Sequence, residues 1–154
     1  MIISTYSKDM KLPLANLMAD YMAELGCNIP EDVIRGQLSD FIDSMCERGI
    51  IHICIAYDCG IPVAFSVFQI DTPESDWCTR PGWGFIREYY VIPRCRKKGI
   101  GKALADHTEQ ALRNMGADNL YLTSTGAVSF WQKCGWKLTG ETTGNGQAIL
   151  AKSS

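Results

Sequence analysis

Apolar positions along the chain follow two alternating periodicities. Leu14, Leu17, Met18, Tyr21, Met22 and Leu25 recur at spacings of three and four, which places them on one side of a helix over residues 13–25, closed by Gly26. The short apolar run at residues 1–5 reads as an edge strand. Pro30 opens a second helical stretch with Val33, Ile34, Leu38, Phe41, Ile42 and Met45 on one face and Gly49 at its end. The period then changes. Residues 50–57 and 61–70 are β-branched, apolar runs separated by Asp58-Cys59-Gly60, the pattern of an antiparallel hairpin. Residues 71–82 carry two prolines and three acids and read as a loop. A strand over 83–92 is stopped by Pro93, and Gly99 and Gly101 lead into a helix over 102–115. A strand at 119–125, a helix at 127–133 with Gly135 behind it, and a hairpin of 136–139 with 147–152 around Gly144-Asn145-Gly146 complete the chain. This order is that of a mixed α/β protein with a strand, glycine loop, helix, strand unit at its centre.

With 154 residues, 46% of them apolar, and no repeat or linker-like tract, the chain is expected to form a single domain over residues 1–154. No basic flank leads into a long apolar run, and no stretch approaches the ~18 apolar residues of a membrane span, so a soluble, unprocessed protein of the cytoplasm is expected. The seven cysteines, Cys27, Cys46, Cys54, Cys59, Cys78, Cys95 and Cys134, are odd in number and form no C-x-x-C pair, which fits reduced thiols. With only His52 and His107, far apart, no metal site is expected. A net charge of −2 gives no overall electrostatic case for nucleic acid or a membrane surface. Any basic function must be local.

It is local at Arg96-Lys97-Lys98-Gly99-Ile100-Gly101-Lys102. A glycine turn between a strand and a helix N-terminus aims unpaired backbone N–H groups at one point, where the helix dipole adds roughly half a positive charge. Gly99 and Gly101 permit close approach, and the surrounding cations suit a pyrophosphate. A P-loop would need Gly at Arg96 and Ser or Thr at Ala103, and fails at both. A dinucleotide fingerprint starting at Gly99 would need Gly at Leu104, and fails there.

The remaining pattern is R-x-x-G-x-G, preceded by Glu88-Tyr89-Tyr90-Val91-Ile92-Pro93 and followed by Ser124, Ala127, Phe130-Trp131 and Gly135-Trp136. In these residues the chain resembles the GNAT superfamily of N-acetyltransferases, whose fourth strand commonly ends Glu-Leu-Tyr-Val-x-Pro before an Arg or Gln, and whose later motif is N-x-x-A-x-x-hydrophobic-Y-x-x-x-G-F. The resemblance implies a central, mostly antiparallel mixed sheet flanked by helices on both faces. It implies acetyl-coenzyme A as cosubstrate, with the backbone of Tyr89, Tyr90 and Val91 beside the pantetheine arm and Arg96, Lys97, Lys98, Gly99, Ile100, Gly101 and Lys102 around the pyrophosphate. Ser124 and Trp131 belong to the same site by that likeness. Dimers are common among the proteins it resembles, while the sequence leaves oligomeric state open.

Acetyl transfer from a thioester needs a neutral amine, a polarised carbonyl and a thiolate able to leave. Glu88 sits where several such enzymes place an acid and is the candidate base; its alternative is an exposed strand residue or a partner of Arg87. The N–H of Val91 is the candidate polarising donor. Trp131 stands where the family frequently has Tyr as general acid, and an indole N–H cannot donate a proton at useful pH. Tyr89, Tyr90 and Tyr121 are the alternatives for that role, and Cys134 reads as a buried helix-end residue. For the acceptor, a small amine is favoured over a protein, with Asp71, Glu74 and Asp76 able to attract its charge and Trp77 and Trp83 as apolar walls. A non-catalytic acyl-coenzyme A binding module is the alternative, and a regulator binding another nucleotide a third reading.

Overall fold

The computed structural model describes residues 1–74 and 79–154. Among these residues a single sheet carries seven strands in the order β1-β2-β3-β4-β5-β7-β6. These are β1 (Ile2–Thr5), β2 (His52–Asp58), β3 (Ile61–Ile70), β4 (Gly84–Val91), β5 (Asn119–Ser124), β6 (Lys137–Thr142) and β7 (Ala148–Ser153). The helices are α1 (Lys11–Glu24), α2 (Glu31–Gln37), α3 (Asp43–Glu47), α4 (Ile100–Asn114) and α5 (Val128–Lys133). The sheet is mixed and mostly antiparallel, and helices flank it, as the family resemblance implies. No helix among the described residues is long and apolar enough to cross a membrane.

The chain divides into two compact units, one of Met1–Val67 and Glu88–Leu104, the other of Phe68–Arg87 and Ala105–Ser154. In the first, β1 runs antiparallel to β2 with Ile2 opposite Tyr57 and Thr5 opposite Cys54. Cys59 and Gly60 both have positive φ, as a two-residue type I′ turn requires, and so close β2 onto β3. Helix α1 buries Leu14, Ala15 and Leu17. It ends in a Schellman arrangement, Gly26 N–H to Ala23 C=O and Cys27 N–H to Met22 C=O.

The second helical stretch departs from the uninterrupted face its spacing predicts. Between α2 and α3 the turn Leu38–Ile42 is π-helical, and the wider turn rotates the residues after it. Ile34 and Leu38 are buried, whereas Val33 is 47% and Phe41 65% exposed. The same rotation turns Asp43 inward, where it meets Lys11 Nζ at 2.7 Å and accepts from the Tyr6 hydroxyl at 2.7 Å. Burial works against its charge, but those two partners hold its carboxyl below the usual carboxylate range.

In the second unit, β4 and β5 pair in parallel, Gly84 opposite Leu120 through Ile86 opposite Leu122. Strand β7 lies antiparallel to β5 over its whole length, and β6 joins β7 with an irregularity between Leu138 and Thr142. The core here includes Phe85 stacked on Tyr121 at 4.5 Å, with Ile149 and Trp83 against them. Gly84 is required by packing: a Cβ there would lie 2.5 Å from Leu120 Cδ2 and 3.2 Å from Leu112. Gly84→Ala is therefore expected to lose about 1–3 kcal/mol in urea unfolding through overpacking.

Candidate functional site

The glycine loop is built by the end of β4. Ile92 N–H bonds to Val63 C=O at 2.9 Å, a short 3-10 turn covers Pro93–Cys95, and Arg96 resumes extended backbone. Lys97 and Gly99 then take positive φ of 63° and 84°, with Lys98 between them outside that region. Such alternation curls successive N–H groups toward one side. Helix α4 begins at Ile100, and its first bond is Ala103 N–H to Gly99 C=O at 3.0 Å. The N–H groups of Gly99, Ile100 and Gly101 precede any helical acceptor, so the geometry leaves them for an external one. Buried Ile100 anchors the turn while Lys97, Lys98, Gly99 and Lys102 are exposed. The Tyr89 hydroxyl, from β4, donates to Gly101 C=O and ties strand to helix.

Arg96 faces another way. Its Nε donates to Val91 C=O at 2.9 Å, Nη2 meets Glu24 of α1 at 2.7 Å, and the guanidinium lies 5.7 Å from the Tyr90 ring centre. Its hydrogen bond to Glu24 holds that carboxyl below its ordinary range. The cationic side chain thus serves α1 and the strand end, leaving Lys97 and Lys98 as outward charge of the loop.

Upstream, the ladder joining β4 to β5 stops at Ile86, and β4 runs on to Val91. Glu88 on this stretch is half-buried and accepts from the Tyr21 hydroxyl of α1. Burial, together with the Glu88 charge and bond, pushes the Tyr21 phenol up, so it stays protonated. The Arg87 guanidinium donates to Gln69 Oε1 at 3.1 Å. Tyr90 and Val91 are buried. Beside them is an open cavity of about 580 Å³ lined by Asp20, Ala23, Glu24, Tyr90, Ile92, Pro93 and Arg94.

Ser124 and Trp131 belong to the other unit. The buried Ser124 Oγ accepts Ala127 N–H at 3.1 Å, shaping the turn into α5. Trp131 is 4% exposed and meets Phe130 and Trp136 edge-on at 4.9 and 5.5 Å. Cys134 is buried, as expected for a helix end.

One acceptor expectation is corrected in this unit. Asp71 is fully buried and its carboxylate is engaged by Tyr121 OH, Thr79 N–H at 3.0 Å and Arg80 N–H at 3.1 Å, so it is a loop organiser and not an amine trap. Trp83 has Arg80 over its ring at 5.0 Å, which already fills the cation position on that face. Glu74 is exposed, and Asp76 and Trp77 lie outside the described residues. Conversely, Tyr21 and Glu24, which the spacing of α1 presents only as helix stripe and surface, contact the candidate residues Glu88 and Arg96. No local signal distinguishes them.

The sequence signature of the acetyltransferase (GNAT) family matches residues 14–136. Among curated proteins none matches the chain by sequence. Solved structures resemble it over nearly its whole length. A ribosomal-protein-alanine N-acetyltransferase from Brucella melitensis superposes with a TM-score of 0.77 at 13% identity, covering 100% of both chains. An aminoglycoside 6'-N-acetyltransferase complexed with coenzyme A gives 0.74 at 17% identity, over 99% of this chain and 97% of that one. The PaiA N-acetyltransferase from Thermoplasma acidophilum, in complex with coenzyme A, gives 0.71 at 17% identity over 100% of both chains. Fold and signature agree, and the chain belongs to the acetyltransferase (GNAT) family.

Proposed function

We propose that residues 1–154 form one N-acetyltransferase domain that moves an acetyl group from acetyl-coenzyme A to a primary amine by direct attack in a ternary complex. The observation that carries this reading is the turn of Lys97 to Gly101, whose N–H groups and lysines meet at the start of α4 directly after the end of β4, which runs past its parallel pairing with β5. That combination suits a pyrophosphate followed by an extended arm. The backbone of Tyr89, Tyr90 and Val91 aligns the pantetheine, and residues 97–102 hold the pyrophosphate.

In the reaction, Glu88 takes a proton from the substrate ammonium, directly or through water, and the neutral nitrogen attacks the thioester carbonyl while Val91 N–H polarises its oxygen. A new C–N bond forms, the C–S bond breaks, coenzyme A leaves as thiolate, and the nitrogen gives up its second proton to solvent or to the departing sulfur. A thiol with a pKa near ~8.5 can depart largely as thiolate, so the reaction proceeds without the general acid that Trp131 cannot supply. Small-molecule amines are favoured over proteins as acceptors, in the cytoplasm. The proteins of similar fold include an aminoglycoside acetyltransferase and a ribosomal-protein-alanine acetyltransferase, which sets the range to screen.

Thermal unfolding is the first test. Acetyl-coenzyme A at ~100 times its Kd should stabilise the protein by about 2.7 kcal/mol, with ATP and NAD at the same concentration giving no comparable rise. A rise with ATP or NAD instead would sink the cofactor assignment. The second reading, an acyl-coenzyme A binding module without turnover, is favoured by the tightly packed indole of Trp131. It predicts the same stabilisation but no amine-dependent release of free thiol.

A further inference from the structure

Helix α1 delivers Tyr21 to β4 in a fixed pose. The ring is held edge-on against Phe65 at 5.7 Å and 84°, and tilted against Tyr90 at 5.6 Å, while Phe65 and Tyr90 themselves lie 6.2 Å apart. A phenol packed against two aromatic rings that also touch each other has little rotational choice, and its hydroxyl ends on Glu88 Oε2. A tie needed only to hold α1 on the strand could end on any polar group; this one ends on the carboxylate proposed to take the substrate's proton. The charges that bear on the adjacent Tyr90 phenol are Glu24 and Asp20 on α1 and Arg96 in the loop. Glu24 and Arg96 are paired with each other at 2.7 Å and act on Tyr90 in opposite senses.

We infer that Tyr21 is a positioning residue for Glu88, its phenol fixing the carboxylate in the orientation and charge state in which that group acts as base. The inference rests on the proposed role of Glu88. Tyr21 does not transfer a proton itself: burial and the adjacent carboxylate keep it protonated, so it is a permanent donor. A donated hydrogen bond favours the ionised carboxylate, keeping Glu88 ready to accept a proton at lower pH than it would alone.

The test pairs Tyr21→Phe with Glu88→Gln. Phenylalanine keeps the ring between Phe65 and Tyr90 and removes only the hydroxyl. Two readouts are taken on each protein: a carboxyl carbon NMR titration of Glu88, and turnover against pH with acetyl-coenzyme A and the best acceptor among spermidine, kanamycin, lysine and an alanine-initiated peptide. In Tyr21→Phe, both the Glu88 titration and the acid limb of turnover should move up together by about one pH unit, with the affinity for acetyl-coenzyme A unchanged. Glu88→Gln should abolish that limb, leaving only the rise that follows the amine's own titration near pH ~10. If it does, and Tyr21→Phe leaves the titration and the limb in place, the positioning role is overturned while the base assignment stands. A limb that survives Glu88→Gln, or no turnover with any amine, overturns both. Should Tyr21→Phe unfold, Glu88→Asp is the second variant: one methylene shorter, it withdraws the carboxylate from the phenol and should shift the limb in the same direction, and an unshifted limb overturns the inference.

Discussion

Glu88→Gln should bind acetyl-coenzyme A as tightly as the parent protein yet turn over about 10²–10⁴-fold more slowly at pH 7, the usual loss on removing a general base. The amide keeps an oxygen that can accept from Tyr21, so the strand and its contact with α1 should persist and the change should be confined to proton transfer. An ammonium acceptor with a pKa near ~10 is almost wholly protonated at neutral pH, and without a base the enzyme depends on the small neutral fraction. Residual activity should therefore climb steadily with pH up to the amine's own titration. Steady-state kinetics read alongside cofactor affinity decide the matter. Parallel losses in turnover and in acetyl-coenzyme A binding would mean that Glu88 holds the strand and does not handle the proton.

Asp71→Ala is expected to destabilise the fold more than the glycine substitution at Gly84, by about 3–5 kcal/mol, because it leaves several buried donors without their acceptor. The Tyr121 hydroxyl and the backbone N–H groups of Thr79 and Arg80 all converge on that carboxylate, and Gln69 Nε2 lies 3.3 Å from it. Tyr121 also stacks on Phe85, so the polar loss is transmitted directly to the hydrophobic cluster. Urea unfolding measures the effect. A variant of parental stability that no longer acetylates an amine used by the parent would restore Asp71 as an acceptor residue and refute the structural role.

The contrast between these two acids marks what the sequence makes legible. The anion-binding turn is readable because its requirements are local: glycine, positive charge, a strand before and a helix after, all within a dozen positions. The succession of strands and helices follows from periodicity for the same reason. Asp71, by contrast, is one of three acids in a Pro-containing loop, and only the distant Tyr121 and the backbone of Thr79 and Arg80 separate it from its neighbours. The stripe from Val33 to Met45 fits a regular helix as well as it fits a helix interrupted at Leu38–Ile42, so the spacing could not foretell that Phe41 would face solvent and Asp43 the interior. Tyr21 is the reverse case. Its place in an apolar stripe is readable, but the hydroxyl's destination on Glu88 depends on how α1 meets β4.

The family motif admits either arginine or glutamine where this chain has Arg96, two residues that differ by a full charge. The contacts of Arg96 make that tolerance intelligible. The bond nearest the strand is a single N–H handed to the carbonyl of Val91, whose own peptide is pinned from the opposite end by Ile92 N–H on Val63. A side-chain amide can hand over an N–H as well as a guanidinium can. What the position demands is a donor of the right reach to keep one peptide plane from turning over at the point where strand becomes loop, and charge there is an addition that this protein uses for Glu24.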